Sequence, residues 1–229
     1  MLFALGQPAA LLGLVLGFLV GVVAVGATQS RMMGAGRGLG ARGGARGVIG
    51  RFVDPFGAIA AALGGVGWGA HVESGRFRRG PARARLIRAL LAAPVVNLAL
   101  AALGVGALAA LGHLGVLVDL DTRFALHGLY RGPLLDLTIV GFLVANLTMA
   151  LLHVVPLPPM AAGRILLLLA PETPAWQRAR YQLEDNNWGI GIMLALSLPL
   201  LSSSGSVSNS LTSTLARPLL RLAAGFANG

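Results

Sequence analysis

Long apolar runs constrain this chain more than any motif in it. Three of them, about Pro8 to Ala27, Ile87 to Leu111 and Leu134 to Val154, reach the roughly 20 residues that a helix needs to cross a hydrocarbon layer. A fourth, Trp188 to Leu201, is short for a span; it tilts, recruits flanking residues such as Ser202 to Ser204, or crosses only in part. Backbone polar groups inside a bilayer must be satisfied within the segment itself, so such runs fold as helices. With 55% hydrophobic residues, 11% charged residues and a mean hydropathy of +0.77, the chain reads as an all-α polytopic transmembrane helical bundle of about four hydrophobic helices. No basic residue precedes Arg31, so the first run lacks the charged start of a secretory signal and reads as an uncleaved helix.

The distribution of charge orients the bundle. All eighteen basic residues are Arg, a bias expected of a high-GC bacterial genome, and eleven of them lie between Arg31 and Arg88. Basic loops beside membrane spans stay in the cytoplasm, which puts the N-terminus and the Leu114 to Pro133 loop on the outer side of a bacterial cytoplasmic (inner) membrane. The net charge of +10 carries no aromatic interleaving or binding motif, so no nucleic-acid partner is expected; anionic lipid at the Arg-rich loop is compatible with it. Residues 1–204 then form one membrane domain containing a cytoplasmic Gly/Arg-rich loop, 31–86, and residues 205–229 form a polar, weakly amphipathic C-terminal tail.

Side chains able to do chemistry are few and scattered. There is no Cys, hence no disulfide, thiolate ligand or thiol nucleophile. His71 and Glu73 fall in the basic loop and His113 and His127 on the opposite side, so a core about 30 Å thick separates them. His153 with Glu73 supplies two ligands, too few for a zinc site, and no cofactor is expected. Asp136 lies near the start of the third run, at the interface. Gly34 to Gly50 lacks the Gly-Lys-Ser/Thr ending of a phosphate loop, and Ser202 to Ser206 reads as a linker. Gly13, Gly17 and Gly21, four residues apart, share one helix face and form a close-packing ridge, facing either a partner's helix or this chain's own, with the Ala/Gly-rich stretch from Ala99 to Gly112 as a mate.

Four segments, in order, carry a family resemblance. Asp54-Pro55-Phe56-Gly57 comes first, then Gly67-Trp68-Gly69-Ala70-His71-Val72, then Ala92-Ala93-Pro94-Val95-Val96-Asn97 after a basic stretch. The fourth runs from Asn146 through His153 into Pro156-Leu157-Pro158-Pro159-Met160-Ala161-Ala162-Gly163-Arg164. Together they resemble the site-2 proteases, the intramembrane zinc metallopeptidases. There an Asp-Pro-x-Gly block, a Gly-Trp-Ala-Lys-Pro-Val block, an Ala-Gly-Pro-x-x-Asn block and a Pro-x-Pro-Pro-Leu-Asp-Gly-Gly-Arg turn come in that order. Ala179 to Glu184, leading into the last apolar run, is similar to the family's C-terminal part.

The resemblance implies the site-2 protease core fold without its chemistry. The family's zinc is held by a His-Glu-x-x-His on the first helix, whose Glu activates water, and by the Asp of the Pro-rich turn. This chain has no His before His71 and no Glu before Glu73, and the Asp position is Ala161. The expected role is therefore that of a pseudoprotease: a scaffold, accessory subunit or regulator bound to other integral membrane proteins of a larger bacterial membrane complex. Two alternatives stay open, an intramembrane protease with a non-standard site and a transporter or ion-pathway subunit resting on Asp136 and His153.

Overall fold

The computed structural model describes residues 2–34, 48–70, 81–118, 120–128, 131–198 and 206–225. Among them, three helices are long and apolar enough to cross a membrane: α1 (Pro8–Met32), α4 (Pro81–Ala110) and α6 (Leu134–Leu152). Two shorter apolar helices, α3 (Pro55–Gly64) and α9 (Trp188–Ser197), accompany them. At ten residues α9 is about 15 Å long, half the thickness of a hydrocarbon core; residues 199–201 of the fourth apolar run lie outside the described residues. The remaining α-helices are α2 (Val48–Phe52), α5 (Thr122–Leu126), α7 (Ala161–Leu169), α8 (Pro174–Arg180) and α10 (Val207–Gly225), with short helical turns at Leu2–Gly6, Leu114–Leu117 and Tyr181–Asp185.

The central element is α6, buried on nearly every side from Val140 to Ala150 and packed against both α1 and α4. Its approach to α1 is set by glycine. A Cβ on Gly17 would stand 2.8 Å from the Phe142 carbonyl oxygen and 2.9 Å from Ala145 Cβ, and one on Gly13 would strike the Thr138 backbone. Gly141 reciprocates, leaving room for the Ala10 carbonyl at 2.7 Å. The ridge of Gly13, Gly17 and Gly21 thus packs internally, and its mate is α6 rather than the Ala/Gly-rich part of α4. Thr138 Oγ1 donates across the contact to the Ala9 carbonyl, and Asn146 Nδ2 to that of Gly17. The pairings of Gly13 with Thr138 and Gly21 with Asn146 make α1 and α6 parallel, while Asn97 near Asn146 and Gly104 against Leu143 run α4 the opposite way.

Part of the stretch expected to be a Gly/Arg-rich loop is structured. Residues 35–47 and 71–80, with His71 and Glu73, lie outside the described residues, but 48–70 folds as a hairpin against α1. Asp54-Pro55-Phe56-Gly57 is a helix start and not a free turn: the Asp54 carboxylate accepts from Phe56 N at 2.8 Å and Gly57 N at 3.3 Å, with Pro55 in the first helical turn. Gly65, at φ 83°, reverses the chain after α3. The returning segment pairs Gly69 with Val53 and seats Trp68, 2% exposed, over Gly57, where a Cβ would meet the Trp68 backbone. Gly26 against Phe52 and Gly69 against Val22 fix the hairpin to α1.

Residues 207–225, expected within a tail, form α10, packed on α6, α5 and α9. Ser202 to Ser204 and residues 226–229 lie outside the described residues. Elsewhere the outward surfaces are apolar, with Leu12, Leu16 and Val20 of α1, Phe56 and Ile59 of α3, and Leu91, Val95 and Leu98 of α4 all exposed. Faces of that extent, with three helices of spanning length, belong to a membrane protein. Gly17→Ala should destabilise the bundle by about 1–3 kcal/mol through overpacking, while Gly106→Ala, where a Cβ meets nothing within 4 Å, should cost nothing. Unfolding titrations in mixed micelles check this; equal behaviour of the two variants would contradict the α1–α6 contact.

Candidate functional site

The segments that carry the family resemblance converge at one end of the three-helix core. α6 stops at His153, and the chain turns through Pro156, Pro158 and Pro159 before Met160 caps α7. Two backbone bonds close the turn, Met160 N to the Leu157 carbonyl at 2.9 Å and Ala162 N to the His153 carbonyl at 3.0 Å. Glycines grip it from both sides. A Cβ on Gly163 would run into the Leu157–Pro158 backbone, and one on Gly189 would stand 2.5 Å from the Pro158 carbonyl oxygen. Gly163 of the motif therefore has a steric reason that holds whether or not the turn carries a metal ligand.

Between this turn and the helices lies a small cavity of about 30 Å³. α1 contributes Gly21, Val22, Val25 and Gln29; α4 contributes Leu90, Ala93 and Asn97; α6 contributes Met149 and His153. Pro159, Ala161 and Arg164 line it from the turn, and Gly69 and Ala70 from the hairpin. Of the residues expected to mark the motif, Asn97, His153, Pro159 and Arg164 are thus brought together with Ala161. Asn146 lies beside them, facing Gly21. Pro94 sits inside α4 one residue from Ala93, and Asp54, Pro55, Gly57 and Trp68 build the neighbouring hairpin without lining the cavity.

The polar lining consists of two amides, one imidazole and one guanidinium, with no carboxylate. Zinc sites take three or four His, Cys or carboxylate ligands, a donor set that these residues do not match. Among the described residues no group of three His, Cys, Asp or Glu side chains lies close enough to hold an ion. Arg164, buried, reaches Glu184 at 3.7 Å, tying α7 to the turn of helix Tyr181–Asp185, and Arg180 Nη2 donates to the Leu167 carbonyl at 2.6 Å.

Asp136 and His153 occupy opposite ends of α6. Asp136, buried in its first turn, pairs with His113 Nδ1 at 2.8 Å beyond the end of α4. Asp121 pairs with Arg217 of α10 at 2.9 Å. Sequence reasoning misses Gln29, Gly26 and Gly189 at this end of the bundle, and the pairing of Glu184 with Arg164. Gln29 alone gives a signal, as a polar residue in the last turns of an otherwise apolar helix. The others depend on tertiary neighbours. Compared with family models, with curated proteins and with solved structures, the chain has no match in any of the three.

The Arg164–Glu184 pair joins the motif turn to the C-terminal part of the molecule. Glu184→Gln, leaving a buried guanidinium without its carboxylate, should destabilise the fold by on the order of 3 kcal/mol. The exposed neighbour change Tyr181→Phe should not. Thermal unfolding of both variants in the same detergent distinguishes them, and equal midpoints would show the pair to be inconsequential.

Proposed function

We propose that this chain is a degenerate relative of the site-2 proteases, a non-enzymatic scaffold, accessory subunit or regulator within a larger bacterial membrane complex. The observation that carries the reading is the position of Ala161. At the place where the resemblance calls for the zinc-binding Asp there is a methyl group, and it lines the cavity that the cytoplasmic half of α1, His153 and Arg164 also line. Three of the four motif segments, in their order along the chain, line that cavity and the first builds the hairpin beside it, which supports a common origin, and the missing His-Glu-x-x-His and Asp argue against catalysis. A fold kept without its site acts through its surfaces. The glycine ridge is engaged internally, so the surfaces offered to partners are the outward apolar faces of α3 and α4.

The same reading sets the topology in the cytoplasmic membrane. The His153 end of the bundle, with the Arg-rich loop, faces the cytoplasm, and the Asp136 end, with residues 114–133, faces outward. Because the chain has no Cys, single-Cys variants report without background. An impermeant thiol reagent added to intact cells should label Arg131→Cys and leave Glu172→Cys untouched; the reverse pattern would invert the topology. Elemental analysis of the purified protein should find no stoichiometric zinc, and Ala161→Asp alone should not create a site. One tightly held zinc per chain would overturn the pseudoprotease reading.

A further inference from the structure

Two amide oxygens in the middle of the bundle carry an inference beyond that reading and independent of it. Asn97 of α4 and Asn146 of α6 are 1% and 0% exposed, and the Oδ1 of each lacks a hydrogen-bond partner. Asn146 cannot turn its amide round without loss, because Nδ2 is already committed to the carbonyls of Phe142 at 2.9 Å and Gly17 at 3.2 Å. Both oxygens converge on Gly21: the position of a Cβ there lies 2.7 Å from Asn146 Oδ1 and 3.0 Å from Asn97 Oδ1, with the Met149 methyl at 2.5 Å as the apolar wall. Buried acceptors in an apolar bundle take a donor wherever space allows.

We propose that the pocket beside Gly21, which Asn97 lines and at whose edge Asn146 Oδ1 approaches Gly21, binds a small, neutral hydrogen-bond donor, a water molecule, that bridges Asn97 and Asn146 and so links α1, α4 and α6. Charge decides against ions. The cavity wall holds no carboxylate to balance a cation and already carries the Arg164 guanidinium, while two carbonyl-type oxygens repel an anion. Size decides against metabolites, because about 30 Å³ admits one or two waters. Polar partners number at least two, which is what an internal water requires. Gly21 is then part of the site, since any side chain there would press on both acceptors.

The test is water-to-amide magnetisation transfer in the full chain, labelled at Asn nitrogens and reconstituted in lipid nanodiscs. The Asn146 side-chain amide should show a cross-peak from a long-lived water. Asn97→Leu, which removes one acceptor and fills the space, should abolish it. A missing cross-peak in the native chain, or direct contact between the Asn97 amide protons and Asn146, would overturn the proposal. So would persistence of the water signal in a folded Asn97→Leu variant.

A second inference rests on α10, whose first half is inverted in its amphipathicity. Ser208, Asn209, Thr212 and Ser213 are buried against the bundle, followed by Ala216, Leu220 and Ala224, whereas Leu211, Leu215, Leu219 and Leu222 are exposed. A helix facing water buries its leucines and shows its hydroxyls. The geometry points to bilayer lipid as the occupant of the leucine face, with α10 lying in the interface. The helix has no acidic residue; Arg217 is paired with Asp121, and the exposed Arg221 beside the leucine face suits an anionic headgroup. A partner protein or a second copy is the competing occupant.

Single nitroxide labels at Leu211, Leu215 and Leu222 of the full chain in vesicles separate these cases by collision with oxygen and with a water-soluble nickel chelate. Lipid contact predicts high oxygen and low nickel accessibility at all three positions. High nickel accessibility, meaning water, would overturn the inference, as would low accessibility to both, meaning protein.

Discussion

The fold depends on one close approach, that of the α1 backbone to the α6 backbone. In lipid, apolar side chains gain little by leaving one apolar medium for another, so helices associate through dispersion contacts and interhelical hydrogen bonds. Gly13 and Gly17 on one side and Gly141 on the other remove the side chains that would hold the two axes apart. The bonds from Thr138 to Ala9 and from Asn146 to Gly17 then become possible at 3.2 Å each. With α1 and α6 locked in parallel, α4 packs against both of them.

That packing also explains why polar groups collect near the middle and at the His153 end. Glycine at position 21 leaves the space into which Asn97 and Asn146 point, and the Pro-rich turn closes the cavity from the end of α6. Gly163 and Gly189 hold the turn, and the Arg164–Glu184 pair anchors α7 to the C-terminal helices. Each of these residues supports a neighbour, so the turn has steric reasons for its sequence that are independent of any chemistry.

Much of this is legible in the sequence where one physical signal dominates. The three long helices follow from apolar length alone, and their observed limits differ from the expected runs by a few residues. The glycine spacing discloses a packing face but not its mate, because period-four spacing carries no information about what lies opposite. Asp54-Pro55 is equally at home in a turn and at a helix start; the choice is made by capping bonds that only the folded chain reveals. The hairpin at 53–69 is hidden by surrounding Arg and Gly, and α10 reads as a tail because its serines suggest solvent. In the fold those serines face inward, where Ser197 and Ser208 meet at 3.4 Å. Partner residues such as Glu184 have no local signature at all.

The proposed function makes the chain a bound component of a membrane assembly, acting through its outer faces. Native mass spectrometry of the protein extracted from its own membrane in mild detergent reads this out. A discrete heteromeric species containing one or more other integral membrane proteins, with no metal mass on this chain, is expected. A monomer of 23.4 kDa carrying a bound zinc would contradict it.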